Sequence, residues 1–154
     1  WSVVHGDYRL DNCIVDAATP RVRAVLDWEM STLGDPLMDL ATVLVYWSRP
    51  GDRLRHEIRF AAFVTDADGF WDRQALVDRY SALSGRDLGH LDVCIALSGF
   101  KLAVIMESIR KRTLAGQQLG ADTALADGMA AATDALVALG LGVAEGDGLA
   151  ALSR

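Results

Sequence analysis

Apolar residues recur at helical spacing over most of this chain and at strand spacing only near its start. Asn12-Cys13-Ile14-Val15 and Val22 to Leu26 are short runs rich in β-branched residues, and Asp16 to Pro20 between them reads as a turn. A small hairpin is therefore expected, entered at Asn12 and left at Asp27. Ser2 to Val4 either ends a helix or forms a short strand. From Gly34 the period changes. Asp35 is placed to cap a helix and Pro36 to open it, where the missing N–H costs nothing. Leu37, Leu40, Ala41, Leu44 and Trp47 then share one face, so this helix is expected to run to about Trp47.

Further helices are expected over Leu54 to Phe63 and over Asp72 to Leu83, the latter with a stripe of Leu76, Val77, Tyr80 and Leu83. Ser84-Gly85-Arg86-Asp87 breaks the pattern. Leu91 to Ala115 is the longest expected helix, apolar in its first half and ending on Arg110-Lys111-Arg112, which suits the negative end of the helix dipole. A last helix, Asp122 to Leu139, puts Leu125, Met129, Ala132 and Leu136 on one face. Residues 140–154 are rich in Gly and Ala without a period and are expected to form a flexible tail. No internal repeat and no linker divides the chain.

Composition narrows the class. The chain has 154 residues, enough for one domain with a real core. A net charge of −6 and a pI near 4.9 speak against a nucleic-acid partner, which calls for a basic face. Leu91 to Met106, the longest apolar run, is interrupted by Asp92, Ser98 and Lys101 and is too short and polar for a membrane span. Cys13 and Cys94 stand far apart with no metal-type spacing, and both are expected to be small buried apolar residues in a reducing cytoplasm. No secretory signal pattern opens the chain. It starts at Trp1 rather than Met, and is expected to be a piece of a longer protein. The 51 % hydrophobic content fits a lobe that has lost a covering partner, and self-association through that surface is one expectation. It equally fits an Ala- and Leu-rich helical protein.

Chemistry concentrates in the first 41 residues. His5-Gly6-Asp7-Tyr8-Arg9-Leu10-Asp11-Asn12 sets a carboxylate and a carboxamide five positions apart, Asp27 follows the hairpin, and Gly34-Asp35-Pro36 leads to Asp39. Phosphoryl transfer needs such a set: metal ions on the phosphates, a group on the acceptor hydroxyl, and in-line geometry. Asp7 fits the hydroxyl, and Asn12 and Asp27 are oxygen donors of the kind magnesium takes. Singly, each has a plain reading. His-Gly-Asp is most often a turn, Asp27 ends a strand, Asp35 caps a helix, and Asp39 is favoured by the dipole. The ordered set is what chance rarely supplies.

Residues 5 to 41 resemble the catalytic segment of the aminoglycoside phosphotransferase and choline kinase family, relatives of protein kinases. The resemblance implies a fold that is mainly α with a small β-hairpin, the C-terminal helical lobe of a protein-kinase-like fold. It spans residues 1–139, with the catalytic loop and metal site in 5–41, a helical subdomain in 54–139, and the N-terminal nucleotide lobe absent. It implies Asp7 as catalytic base, Asn12 and Asp27 as magnesium and ATP-binding residues, and Asp39 as a brace behind the loop, with His5 and Asp35 in structural support. Arg9 either meets the transferred phosphate or is a solvated loop cation. Asp7 to Asn12, Leu26 to Pro36, Gly69-Phe70, Ser84 to Asp87 and Phe100 to Ala103 are similar to the subgroup found with acyl-CoA dehydrogenases, whose implied acceptor is a hydroxyacyl-CoA. Arg110, Lys111 and Arg112 then either greet CoA phosphates or form a solvated helix end.

The function expected is an ATP- and magnesium-dependent phosphotransferase for a small-molecule hydroxyl, with these residues alone inactive or nearly so. The alternative is a noncatalytic pseudokinase-like interaction module. A metal-dependent phosphohydrolase would want more ligands than His56 and His90 supply, and both are expected at the surface or a helix end.

Overall fold

Two antiparallel ribbons frame the polar loop, where the sequence predicts one. The computed structural model describes residues 1–52, 63–117 and 123–153. The expected hairpin is present as β2 (Cys13–Val15) and β3 (Val22–Val25), paired Cys13 to Val25 and Ile14 to Ala24, with a bulge at Val15. Asp16 closes its turn, accepting from the Ala18 and Thr19 amides at 2.8 and 3.3 Å. The second ribbon joins β1 (Ser2–Val4) to β4 (Thr32–Gly34), pairing Val4 with Thr32 and Ser2 with Gly34. Thr32-Leu33-Gly34 carries little strand signal of its own. It is a strand because β1, distant in the chain, supplies its hydrogen bonds.

Helix α1 (Leu37–Tyr46) starts where the sequence predicts: the Asp35 carboxylate accepts from the Leu37 amide at 2.9 Å, one residue ahead of Pro36. Helix α2 (Arg73–Ser84) is capped by Asp72, which accepts from the Ala75 amide at 2.7 Å, and it ends at Gly85 with φ 63°. Helix α3 (Leu91–Leu114) is the longest, and α4 (Thr123–Gly142) packs along it. The expected helix over residues 54–63 and His56 lie outside the described residues, as does the expected start of the last helix at Asp122.

The core gathers Leu37, Leu44, Ile95, Leu136 and Leu139, contributed by α1, α3 and α4. Inside it, the Thr42 hydroxyl bonds the Met38 carbonyl at 2.9 Å and the Ser98 hydroxyl at 3.1 Å, so α1 and α3 are joined by a satisfied polar contact. Glycines let α3 and α4 approach closely: a Cβ on Gly99 would stand 3.2 Å from the Leu136 carbonyl oxygen, and one on Gly140 would stand 3.3 Å from that of Ala96. The stretch Ala126–Ser153 is long and apolar enough to cross a membrane by length and composition, but Ala132, Leu136, Leu139 and Leu152 are buried in this core.

Residues 140–153, part of the flexible tail expected over 140–154, fold back onto the core. After α4 the chain makes a wide turn at Val143–Asp147 and a tight helical turn at Gly148–Ser153, with Val143, Ala151 and Leu152 buried. The Gly and Ala bias serves turning and close packing here: Gly146 and Gly148 take φ values of 103° and 52°, which returns Leu152 to the core. Arg73 anchors this end from α2. Its guanidinium makes a buried ion pair with Asp52 at 2.5 Å and donates to the Ser153 hydroxyl at 3.3 Å. Cys94 is buried as expected, whereas Cys13 is only part-buried.

Candidate active site

The loop from His5 to Asn12 is shaped from behind. Asp39 stands in the first turn of α1, where a carboxylate is favoured by the exposed amides and the dipole. It accepts from the His5 amide at 2.7 Å and the Gly6 amide at 2.9 Å, one on each oxygen. Gly6 takes φ +86°, and a Cβ there would overlap the Met30 carbonyl oxygen. Gly6→Ala therefore combines a strained backbone with a clash against main chain. It is expected to destabilise the protein by roughly 2–3 kcal/mol, read by urea denaturation, and a loss below about 0.5 kcal/mol would mean that the turn yields freely.

His5 ties the loop to the hairpin. Its Nδ1 accepts from the Asp7 amide at 3.2 Å, and its Nε2 donates to the Leu26 carbonyl at 2.7 Å, a pattern that selects the Nε2–H tautomer. The ring lies 4.7 Å from the Trp28 ring. His5 thus spans from the amide of Asp7 to the residue before Asp27.

Asp7 and Asn12 meet directly. The Asn12 amide donates to the Asp7 carbonyl at 2.8 Å and to the Asp7 carboxylate at 3.3 Å. Both bonds use Nδ2, which leaves Oδ1 as the donor atom for a cation. The Asn12 carbonyl accepts from the Leu26 amide at 2.8 Å, so Asn12 and Asp27 stand at neighbouring strand ends. Among the described residues Asp27 is the one non-glycine in the left-handed region, at φ 65° and ψ 54°. An aspartate there costs little more than an asparagine would, and such backbone gathers at functional sites. The exposed Asp27 carboxylate and the Asn12 carboxamide oxygen are donors of the kind magnesium takes, since it binds one or two carboxylates and keeps water and phosphate oxygens for the rest.

Arg9 is packed into the loop and not free in solvent. Its Nε lies 3.5 Å from the Asp7 carboxylate, and its guanidinium carbon sits 5.0 Å from the centre of the Tyr46 ring. Burial, and next the charge of Asp7, push the Tyr46 phenol up to about 12, so this ring stays neutral under the loop.

Asp35 does not join this group. It caps α1 and accepts from His90 Nε2 at 2.6 Å, and the Leu37 amide followed by His90 holds its carboxyl below the usual range. The ligand atoms of Asp35, His90 and Cys94 lie within 4.8 Å of one another, but both Asp35 oxygens are already engaged. Of the basic helix end, Arg110 is bound to Glu107 at 2.7 and 2.9 Å, in the same helix.

One residue of the loop's surroundings escapes sequence reading. Lys101, in the middle of α3, donates its ammonium to the Gly6 carbonyl. Its signals are a lone cation in an apolar stretch of helix and its place within Phe100 to Ala103, and neither points to the Gly6 carbonyl.

A helical bundle carrying this braced loop and hairpin has the fold of the helical lobe of a kinase-like phosphotransferase. Residues 1–76 match the model of the phosphotransferase enzyme family, and the chain belongs to that family. A crystal structure of a candidate aminoglycoside phosphotransferase from Ralstonia eutropha JMP134 is 33 % identical, with a TM-score of 0.72 over 94 % of this chain and 42 % of that one. Acyl-CoA dehydrogenase family member 11 of Pongo abelii is 35 % identical over 126 residues, 80 % of this chain and 16 % of that protein. Acyl-CoA dehydrogenase family member 10 of Mus musculus is 34 % identical over 122 residues, 75 % of this chain. The chain spans only 16 % and 11 % of the length of these two relatives.

Proposed function

We propose that these residues form the acceptor-side and magnesium-binding part of an ATP-dependent phosphotransferase acting on the hydroxyl of a small molecule. The observation that carries the reading is the bond from Asn12 to Asp7 within a loop held by both Asp39 oxygens. Asp7 is fixed to face an acceptor hydroxyl and to take up its proton as the bond to phosphorus forms. Asn12 Oδ1 and the Asp27 carboxylate would hold magnesium, which when bound neutralises charge on the phosphate oxygens. Arg9 restrains the Asp7 carboxylate from one side and Asn12 from another, so little ordering is left to be done on binding.

The kinship with proteins named for acyl-CoA dehydrogenases supports a hydroxyacyl-CoA as acceptor. The nucleotide-covering part is proposed to come from sequence beyond these residues, which match 42 % of the structural relative. Val3 and Leu33, 64 % and 68 % exposed on the ribbon of β1 and β4, present an apolar face for it. The same face favours the second reading, a noncatalytic interaction module. The test is ADP release by the full-length protein with ATP, magnesium and a panel of aminoglycosides, choline and hydroxyacyl-CoAs. Release with a hydroxyacyl-CoA is expected, failure with every hydroxyacyl-CoA removes that acceptor, and failure with every acceptor favours the module. The 154 residues alone are expected to release ADP at or near background.

A further inference from the structure

Lys101 lies near the middle of α3, well over a turn from either end, in a helix whose other side packs in the core. A lysine in such a place loses hydration, and burial does lower its pKa, while the charges of Asp7 and then Asp39 work the other way. A cation kept there against that cost needs partners. It has them in the loop: the ammonium donates to the Gly6 carbonyl across a sequence separation of 95 residues.

That contact completes a clamp on one peptide unit. The Gly6–Asp7 peptide has its carbonyl oxygen bonded by Lys101 and its N–H bonded by His5 Nδ1. The preceding peptide has its N–H, that of Gly6, held by Asp39. With φ at +86°, Gly6 is the residue about which the loop would most easily turn. Asp7 follows directly, so the direction of its carboxylate depends on how that peptide is set. Lys101 also places a positive charge where the two carboxylates of Asp7 and Asp39 approach the same turn, which offsets their mutual repulsion.

We infer that Lys101 is a positioning residue for phosphoryl transfer: its part-buried ammonium sets the Gly6–Asp7 peptide and so aims the Asp7 carboxylate at the acceptor hydroxyl. The inference rests on the phosphotransferase reading above. It requires the charge and the donor of Lys101, not its bulk. Methionine keeps the length and apolar stem without either, and arginine keeps both.

The test uses the full-length protein, ATP, magnesium and whichever acceptor of the panel supports ADP release, with Asp7→Asn as reference. Lys101→Met is expected to lower kcat about 100-fold, the effect of displacing a reacting group by about 1 Å, with KM for ATP and acceptor within about threefold of wild type. Lys101→Arg is expected to recover kcat to within about tenfold of wild type, because it restores the donor and the charge. A folded Lys101→Met protein with wild-type kcat overturns the inference. So does an arginine variant as inactive as the methionine variant, since bulk and not charge would then be what matters. If Lys101→Met fails to fold, as thermal unfolding would reveal, the arginine variant decides alone: a fall in kcat as deep as that of Asp7→Asn overturns the inference. An active Asp7→Asn protein shows that the transfer needs no base at position 7 and overturns the inference with it, whereas failure of ADP release with every acceptor removes the phosphotransferase reading, so the two are told apart.

Discussion

Asp7→Asn in the full-length protein is expected to lower kcat for phosphoryl transfer about 1000-fold, the middle to upper range for loss of a positioned general base. Asparagine matches the shape of aspartate. It keeps an oxygen to accept from the Asn12 amide, which lies 3.3 Å from the carboxylate, and it leaves the main-chain bond from Asn12 to the Asp7 carbonyl untouched. What is lost is the charge, and with it the ability to take the hydroxyl proton and the pairing with Arg9 at 3.5 Å. That pair is part-exposed and adds little to stability. Thermal unfolding should therefore shift by only a few degrees while turnover collapses. A variant retaining more than about a tenth of wild-type kcat would show that the transfer needs no base at this position. Raising magnesium should not rescue it, because Asn12 and Asp27 are unaltered.

Arg73→Ala is expected to have the largest effect on stability, a loss of about 3–5 kcal/mol by urea denaturation. Arg73 and Asp52 are 5 % and 3 % exposed and bonded at 2.5 Å, so solvent screening does not weaken the pair. Truncation strands the Asp52 carboxylate in the interior, where among the described residues the Arg49 amide, at 2.7 Å, still donates to it. It also removes the bonds from Arg73 to the Leu44 carbonyl at 3.4 Å and to Ser153, and with them the link between α1, α2 and the end of the chain. The cost is that of an unpaired buried charge and not the worth of the pair. Replacing both members by apolar residues, Arg73→Met with Asp52→Leu, should accordingly recover most of the loss. If the double variant is as unstable as Arg73→Ala, the ionic pair itself carries the stability, and the reasoning from desolvation fails.

Much of the site is legible in the sequence because its parts lie close along the chain. Asp7 and Asn12 are five positions apart and bond within their own loop. Asp35 and Pro36 start α1 by rules that operate within one turn, and this places Asp39 in the first turn behind the loop. The hairpin of β2 and β3 is readable for the same reason, since Asp16 closes it locally. The tail misleads because Gly and Ala carry no period. Their use at Gly140 and Gly148 is to admit a neighbouring helix or a reversal of the chain, and composition cannot tell that from disorder.

The sequence by itself determines the helices, the hairpin and the order of the polar residues, since each follows from period, capping or turn chemistry acting over a few positions. Tertiary structure alone decides β4, the burial of Leu152, the Arg73–Asp52 pair and the reach of Lys101 to Gly6. Each of these joins groups whose separation along the chain carries no pattern. A buried charge is tolerated only where folding brings its partner, and a lysine in an apolar helix does not name the carbonyl it will meet.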